Sequence, residues 1–388
     1  MDVKIRLCRE PPIYTAADEV SGHVILTTAT QIDISAVSIW LSGVSTSKVH
    51  SLRVVETHQI VDIREQLFPP TACASSFTSR SATVLAGIHL FAFSLRLPQT
   101  TQCSKPAGTF PPSRQRDSKS TGRKTHLLHK LPPSMGASSS PEEIKYVLEA
   151  SVRRDGIIRG PKKATQDICI HPVPTLASPL SNSQAIQTET QKITCRSSAG
   201  SKLLWAPAAY EVTAKLLNGP FLFLGRPIPL AVELTSLDTS TNTAPRSQGS
   251  MWIPVSLHDF QTMLIETTEV RARGLEESHT QFRIVQTMAN LRHPLRWSEV
   301  VSSSVNGYTS PAFRFRVDGN LWSRYPIPSS LTPSFETCNI SRSYKLEVRL
   351  GIGSGGNNVR IVEFQFPVYL VSAAGMRQPY PTPARKFL

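Results

Sequence analysis

Ile144-Lys145-Tyr146-Val147-Leu148-Glu149-Ala150-Ser151-Val152 decides the fold class. Ile144, Tyr146, Leu148, Ala150 and Val152 occupy every second position, and Lys145, Val147, Glu149 and Ser151 stand between them. Side chains of a strand point to opposite faces in turn, so this run has one buried and one wet face. That is the pattern of an antiparallel sheet packed on one side; strands of parallel α/β sheets are apolar throughout.

The same period recurs on both sides of this run. It appears in Phe91, Phe93, Leu95 and Leu97, in Ile228, Leu230, Val232 and Leu234, in Phe313, Phe315 and Val317, and in Tyr344, Leu346, Val348, Leu350 and Ile352. Between Ile34 and Val37 the alternation slips by one residue, which predicts a β-bulge at Ser35-Ala36, because one extra residue restores the inward face. Helical periodicity is scarce. Ser256 to Leu264 is the best candidate, yet its continuation through Ile265, Thr267, Thr268 and Val270 reads as strand. Thirty prolines and twenty glycines punctuate the chain at short intervals, as an all-β protein requires.

The 388 residues predict two domains at roughly 100–200 residues each. The fold class expected is all-β, two tandem immunoglobulin-like antiparallel β-sandwiches, over residues 1–172 and 206–375. Residues 173–205 are polar and are expected to be the linker; residues 376–388 form a Pro-rich tail. Residues 99–141 are rich in Ser, Thr, Pro and base and are expected to be a long mobile loop between two strands. Asp238 to Ser250 reads as a shorter loop.

The formal net charge of +14 favours acidic partners: anionic lipid, phosphorylated segments or nucleic acid. Lys105, Arg114, Arg116, Lys119, Arg123, Lys124 and Lys130 in the loop, with Arg153 and Arg154 beyond it, are the candidate contacts to anionic lipid or phosphate. Arg159, Lys162 and Lys163 extend the second cluster around the turn at Asp155-Gly156. Nucleic acid is not expected, since the loop has little aromatic interleaving and no RNP, KH or helix-turn-helix signature is present.

Pro11-Pro12-Ile13-Tyr14 is a literal PPxY match. Exposed as polyproline II, it would dock on a WW domain through Pro11, Pro12 and Tyr14; as part of the first strand connection, it would serve packing instead. Gly351-Ile352-Gly353-Ser354-Gly355-Gly356 fits G-x-G-x-x-G, but an alternating run from Val359 follows where a dinucleotide site needs a helix, so a hairpin is expected. The six cysteines, Cys8, Cys73, Cys103, Cys169, Cys195 and Cys338, have no C-x-x-C or zinc-finger spacing, so no metal site and no cofactor are expected. Asn339-Ile340-Ser341 is a glycosylation triplet of the kind chance gives. No nucleophile elbow, P-loop or H-E-x-x-H is present, so the chain is not expected to be an enzyme. A hydrolase or carbohydrate-active sandwich would need a cleft of converging acids or histidines. Met1-Asp2-Val3-Lys4 does not begin a signal peptide, and no run of about 18 apolar residues occurs, so a cytoplasmic protein is expected.

In the first half a series of segments stands in a recognisable order: Ile13 to Val24, Ile39-Trp40-Leu41-Ser42-Gly43, Ala86 to Phe93 leading into Leu97-Pro98, Leu131-Pro132-Pro133-Ser134, and Ile144 to Arg153. In the second half Leu264-Ile265-Glu266-Thr267-Thr268, Pro333 to Tyr344 and Val362 to Val371 follow. Their order resembles the arrestin family, in its fungal arrestin-like (α-arrestin) branch, the second-half segments being similar to the arrestin C-terminal domain. The resemblance implies two arrestin-type sandwiches hinged side by side. It implies a trafficking adaptor in endocytosis that holds cytosolic segments of membrane proteins and links them to a WW-domain HECT ubiquitin ligase, with recruitment to the plasma membrane or endosomes. Ligase adaptors of the family carry PPxY repeats in a long tail, whereas the tail here offers Pro379-Tyr380-Pro381-Thr382-Pro383. A structural arrestin-fold scaffold or coat subunit, retromer-like and without ligase recruitment, is therefore the alternative.

Overall fold

In the computed structural model, which describes residues 1–69, 81–101, 103, 129–154, 160–171, 186–195, 208–237, 255–295, 297–305, 308–354 and 359–372, the alternating runs build two β-sandwiches. The first contains β1 (Asp2–Leu7), β2 (Ile13–Tyr14), β3 (Glu19–Thr28), β4 (Ile32–Val49), β5 (Val54–Phe68), β6 (Ala82–Val84), β7 (Gly87–Arg96), β8 (Glu142–Arg154) and β9 (Lys162–Ile170). One sheet has the order β1-β3-β7 and the other β2-β9-β8-β4-β5, with β6 added on β4. Val20, Val24, Leu26, Phe93 and Leu95 of the first sheet meet Ile39, Leu41, Tyr146, Leu148 and Val152 of the second in one core. The slip read in the sequence is present: the β4–β8 register shifts between Ile34 and Ala36, and Ile34 and Val37 both remain buried.

The second sandwich contains β10 (Gln187–Cys195), β11 (Ala208–Leu216), β12 (Phe221–Phe223), β13 (Leu230–Ser236), β14 (Val255–Ala272), β15 (Leu275–Met288), β16 (His293–Pro294), β17 (Trp297–Val305), β18 (Tyr308–Arg316), a one-turn helix α1 (Asn320–Ser323), β19 (Phe335–Glu336), β20 (Ile340–Ser354) and β21 (Val359–Val371). Its sheets have the orders β10-β11-β13-β18-β17 and β12-β21-β20-β14-β15. Phe260 stacks on Trp322 with ring centroids 5.0 Å apart, and the Trp322 indole N–H donates to the Leu230 carbonyl at 3.1 Å.

The two sandwiches repeat one plan. β2-β9-β8-β4-β5 and β12-β21-β20-β14-β15 share strand order, including the parallel pairs β2–β9 and β12–β21. Local chemistry repeats as well. Ser134 exchanges two bonds with Ile170, Ser134 N–H to carbonyl and Ile170 N–H to Oγ, both 2.9 Å. Ser334 does the same with Leu370, again at 2.9 Å. The Tyr146 hydroxyl donates to the Pro132 carbonyl at 2.8 Å, and the Tyr344 hydroxyl to the Thr332 carbonyl at 2.6 Å. Burial pushes both phenols well above the ordinary tyrosine range. Room for the Tyr146 ring comes from Gly43 opposite it, where a Cβ would lie 2.7 Å from the ring.

Two sequence expectations need correction. Residues 173–205 are not linker throughout, because Gln187–Cys195 is a strand paired along its whole length with β11. It is an edge strand whose inward face offers only Ile193 and Cys195, so no apolar alternation announced it. Residues 99–141 do lie between β7 and β8, but their last part is packed: Leu131 belongs to the core, and Ser134 and Met135 bond to Ile170 and Ile144. Residues 104–128, with the mobile-loop expectation for them, lie outside the described residues, as do Asp238 to Ser250 and the tail. Of the glycine-rich segment, Gly351 to Ser354 are the end of β20, with Gly353 opposite Val359, and the element that follows is the antiparallel strand β21 and not a helix.

Tyr146→Phe strands the Pro132 carbonyl in the core and is expected to lower stability by about 1–3 kcal/mol. Urea denaturation should show a lower midpoint at unchanged slope.

Candidate functional site

Long strands alone do not fix two sandwiches side by side, and the seam between them centres on a buried polar clamp. The turn between β19 and β20 carries Asn339 into the first sandwich, where it is 1% exposed. The Ser45 hydroxyl donates to Asn339 Oδ1 at 2.8 Å, and Asn339 Nδ2 donates to the Ser45 carbonyl and to Ser47 Oγ, both at 3.1 Å. The Ser47 hydroxyl continues to the Arg271 carbonyl at 2.5 Å, and the Arg271 N–H returns to the Asn339 carbonyl at 2.8 Å. Ile340, the next residue, packs into the core of the first sandwich. A buried amide with its bonds satisfied on the opposite sandwich specifies one relative placement, since any shift leaves polar atoms unpaired.

Arg342 lies beside this clamp, and its guanidinium reaches both halves. It donates to Glu142 Oε1 at the start of β8 at 3.1 Å and to Thr268 Oγ1 at 3.0 Å, and it pairs with Glu266 at 3.3 Å. Glu266 also accepts from Arg283 at 3.0 Å. The hairpin tips complete the seam. Val49 and Val54 of the β4–β5 tip pack on Val270, Ala272 and Leu275 of the β14–β15 tip. The His50 N–H donates to Glu277 at 2.8 Å, and the Arg273 N–H donates to Glu56.

At the same seam His58 of β5 is buried, with Nε2 2.7 Å from Glu56 Oε1 and Nδ1 3.2 Å from Cys103 Sγ. Cys338, in the turn that carries Asn339, joins them. Burial above all, with Cys338 and Glu56 nearby, pushes the Cys103 thiol up to about 12. None of Cys8, Cys103, Cys169, Cys195 and Cys338 is in a disulfide.

The residues singled out in the sequence lie elsewhere. Tyr14 is 1% exposed in the first core, and the Arg9 guanidinium covers its ring at 4.7 Å. The Cys169 N–H donates to the Pro12 carbonyl and the His171 N–H to the Tyr14 carbonyl. This corrects the WW-docking expectation for Pro11, Pro12 and Tyr14: the tyrosine that a WW groove must grasp is core, and the backbone beside it is committed to β9. Arg153 and Arg154 sit at one end of β8, with exposed Lys162 and Lys163 opposite on β9. Lys163 pairs with Glu149 at 2.8 Å, and Arg154 Nε lies 3.1 Å from the Met1 sulfur. Lys130 is exposed near Thr100, toward the Glu142 end, so the structure does not join it to Arg153 and Arg154. Lys105, Arg114, Arg116, Lys119, Arg123 and Lys124 lie outside the described residues. No helix of the described residues is long and apolar enough to cross a membrane.

Sequence reasoning missed Asn339, Arg342, Glu142, Glu266 and the His58 cluster. Asn339 stood in the sequence only as a glycosylation triplet and as one residue of the Pro333 to Tyr344 segment, with no seam role assigned, and its burial closes it to that modification in this fold.

The architecture now has a counterpart. Residues 3–170 match the family model for the arrestin (or S-antigen) N-terminal domain. The match covers the first sandwich alone; β10 to β21 lie beyond it. No curated protein matches the chain. In the arrestin-type N-terminal sandwich, Ser45, Ser47 and Glu142 supply the seam contacts.

Two outcomes follow. Arg342→Met leaves the buried Glu266 with Arg283 alone and the partly buried Glu142 without this cation, and is expected to cost about 3 kcal/mol. Scanning calorimetry should show the loss, with the two sandwiches separating into distinct transitions. Tyr14→Ala should act as a core truncation of about 3–5 kcal/mol, with no capture of tandem WW domains by the native wild type.

Proposed function

We propose that the chain is a non-enzymatic arrestin-type adaptor, of the fungal α-arrestin branch, that holds cytosolic segments of membrane proteins. The observation that carries this reading is the arrestin N-terminal match over a sandwich whose plan is repeated in the second half and clamped to it. The second half then serves as the arrestin C-terminal domain, a reading that the Pro333 to Tyr344 segment supports.

The outer face of the β1-β3-β7 sheet suits a cargo segment. Among the described residues β7 is an edge strand, and Ile88 and Leu90 are exposed on it at 69% and 61%. The register places Ile25 beside Leu90 and Lys4 beside Ile25, with Arg6 two positions along β1. An extended peptide can add to such an edge through its backbone, with apolar residues on Ile88 and Leu90 and acidic ones toward Lys4 and Arg6. Arg153, Arg154 and Lys130 and the basic residues from Lys105 to Lys124 would steer acidic tails and draw the protein to anionic membrane at the plasma membrane or endosomes. In this reading ligase recruitment, where it occurs, does not run through Pro11-Tyr14.

A second reading, a retromer-like scaffold or coat subunit, is favoured by the buried clamp at the seam, which suits a rigid part. Stable co-purification with fixed subunits would support it over transient cargo binding.

The test is binding of acidic, apolar cytosolic-tail peptides to the full-length protein by fluorescence anisotropy. Ile88→Glu with Leu90→Glu is expected to weaken binding by about tenfold or more, equivalent to about 1.4 kcal/mol, with the fold retained because both side chains are exposed. Undiminished binding would remove this face from the reading.

A further inference from the structure

We propose that His58, Cys103 and Cys338 form a zinc site that spans the domain seam. The three come from β5, from the segment after β7, and from the turn before β20, so their chain spacing carries no motif. Yet their donor atoms all lie within 4.8 Å of one another. Zinc–sulfur bonds of about 2.3 Å and zinc–nitrogen bonds of about 2.0–2.1 Å put tetrahedral donors roughly 3.5–3.8 Å apart, so small rotations of the side chains close the set.

The imidazole is oriented for this task. Its Nε2 faces Glu56 Oε1 at 2.7 Å, which leaves Nδ1 directed at Cys103 Sγ, 3.2 Å away. A carboxylate behind a ligating histidine fixes the tautomer and raises the basicity of the metal-facing nitrogen. Glu56 is itself held by the Arg273 N–H from the other sandwich. The donor set is two thiols and an imidazole, which selects a borderline-soft ion such as zinc over magnesium or calcium. Each thiol ligates as thiolate, so loading releases its proton. Cys103 and Cys338 are half-buried rather than sealed, which gives an ion a way in, and the described residues supply three of the four ligands of a tetrahedral zinc.

The seam clamp and the site are one construction. Ser45, which bonds Asn339, is the cross-strand partner of His58, and Cys338 is the residue before Asn339. The bonds that seat Asn339 therefore deliver Cys338 to the histidine. An ion bound there would tie the first sandwich, through His58 and Cys103, to the second through Cys338, independently of cargo binding.

The test uses the full-length, reduced protein freed of metal by a chelator and titrated with Co(II), then with Zn(II) in competition. A thiolate-to-cobalt charge-transfer band that zinc displaces at one equivalent per chain is the expected result. Cys338→Ser and Cys103→Ser should each abolish the band, while Glu56→Gln should weaken the metal by roughly 10–100-fold and Cys8→Ser should change nothing. Absence of the band from the wild type, or its persistence in Cys338→Ser, would overturn the proposal. So would a Cys103–Cys338 disulfide in the protein as isolated, found by peptide mapping under non-reducing conditions, with no metal bound after reduction.

Discussion

Asn339 holds the molecule in its two-domain form. Its amide is buried in the sandwich to which it does not belong, with Ser45 and Ser47 of β4 as partners. The energetic weight lies in the alternative. A buried amide without partners costs on the order of 1–3 kcal/mol, so a displaced seam would forfeit several bonds together. The remaining contacts depend on that placement. With Asn339 seated, Ile340 enters the first core, Arg342 reaches Glu142, and the tip of β4–β5 meets the tip of β14–β15.

The repeat explains how such a seam can be built from ordinary parts. Each sandwich staples a Ser-containing segment to its last long strand and caps a buried tyrosine with a backbone carbonyl. Those devices are internal and symmetric. The clamp around Asn339 and Arg342 is not: there the second sandwich contributes a turn and a guanidinium, and the first contributes hydroxyls and the Glu142 carboxylate. Apolar cores make two stable halves, and directional polar bonds choose how the halves meet.

Legibility in the sequence followed the same division. β4, β8 and β20 were readable because each buries one full face, and even the extra residue after Ile34 left its mark in the register; of β14 only the part after Leu264 read as strand, and Ser256 to Leu264, the best helical candidate, is strand as well. β10 was not, because an edge strand with a polar outer face needs little apolar alternation to hold its place. Pro11-Pro12-Ile13-Tyr14 misled for a related reason. The letters that make a docking motif in an exposed chain also make a packed edge segment, and burial decides between them. The arrestin-type reading of the first half came from the order of many weak segments, none decisive by itself, and residues 3–170 match that family.

The sequence by itself determined the all-β class, the buried face of each long strand and the presence of two sandwiches, because period-two burial is a local property of the chain. Only the tertiary structure decided the seam. Ser45 and Asn339 are 294 residues apart, and His58, Cys103 and Cys338 have no common spacing. Hydrogen bonds and metal coordination require donor and acceptor within a few tenths of an ångström of fixed distances. Such closeness between remote residues exists only after both cores have packed, so nothing in the local pattern could announce it.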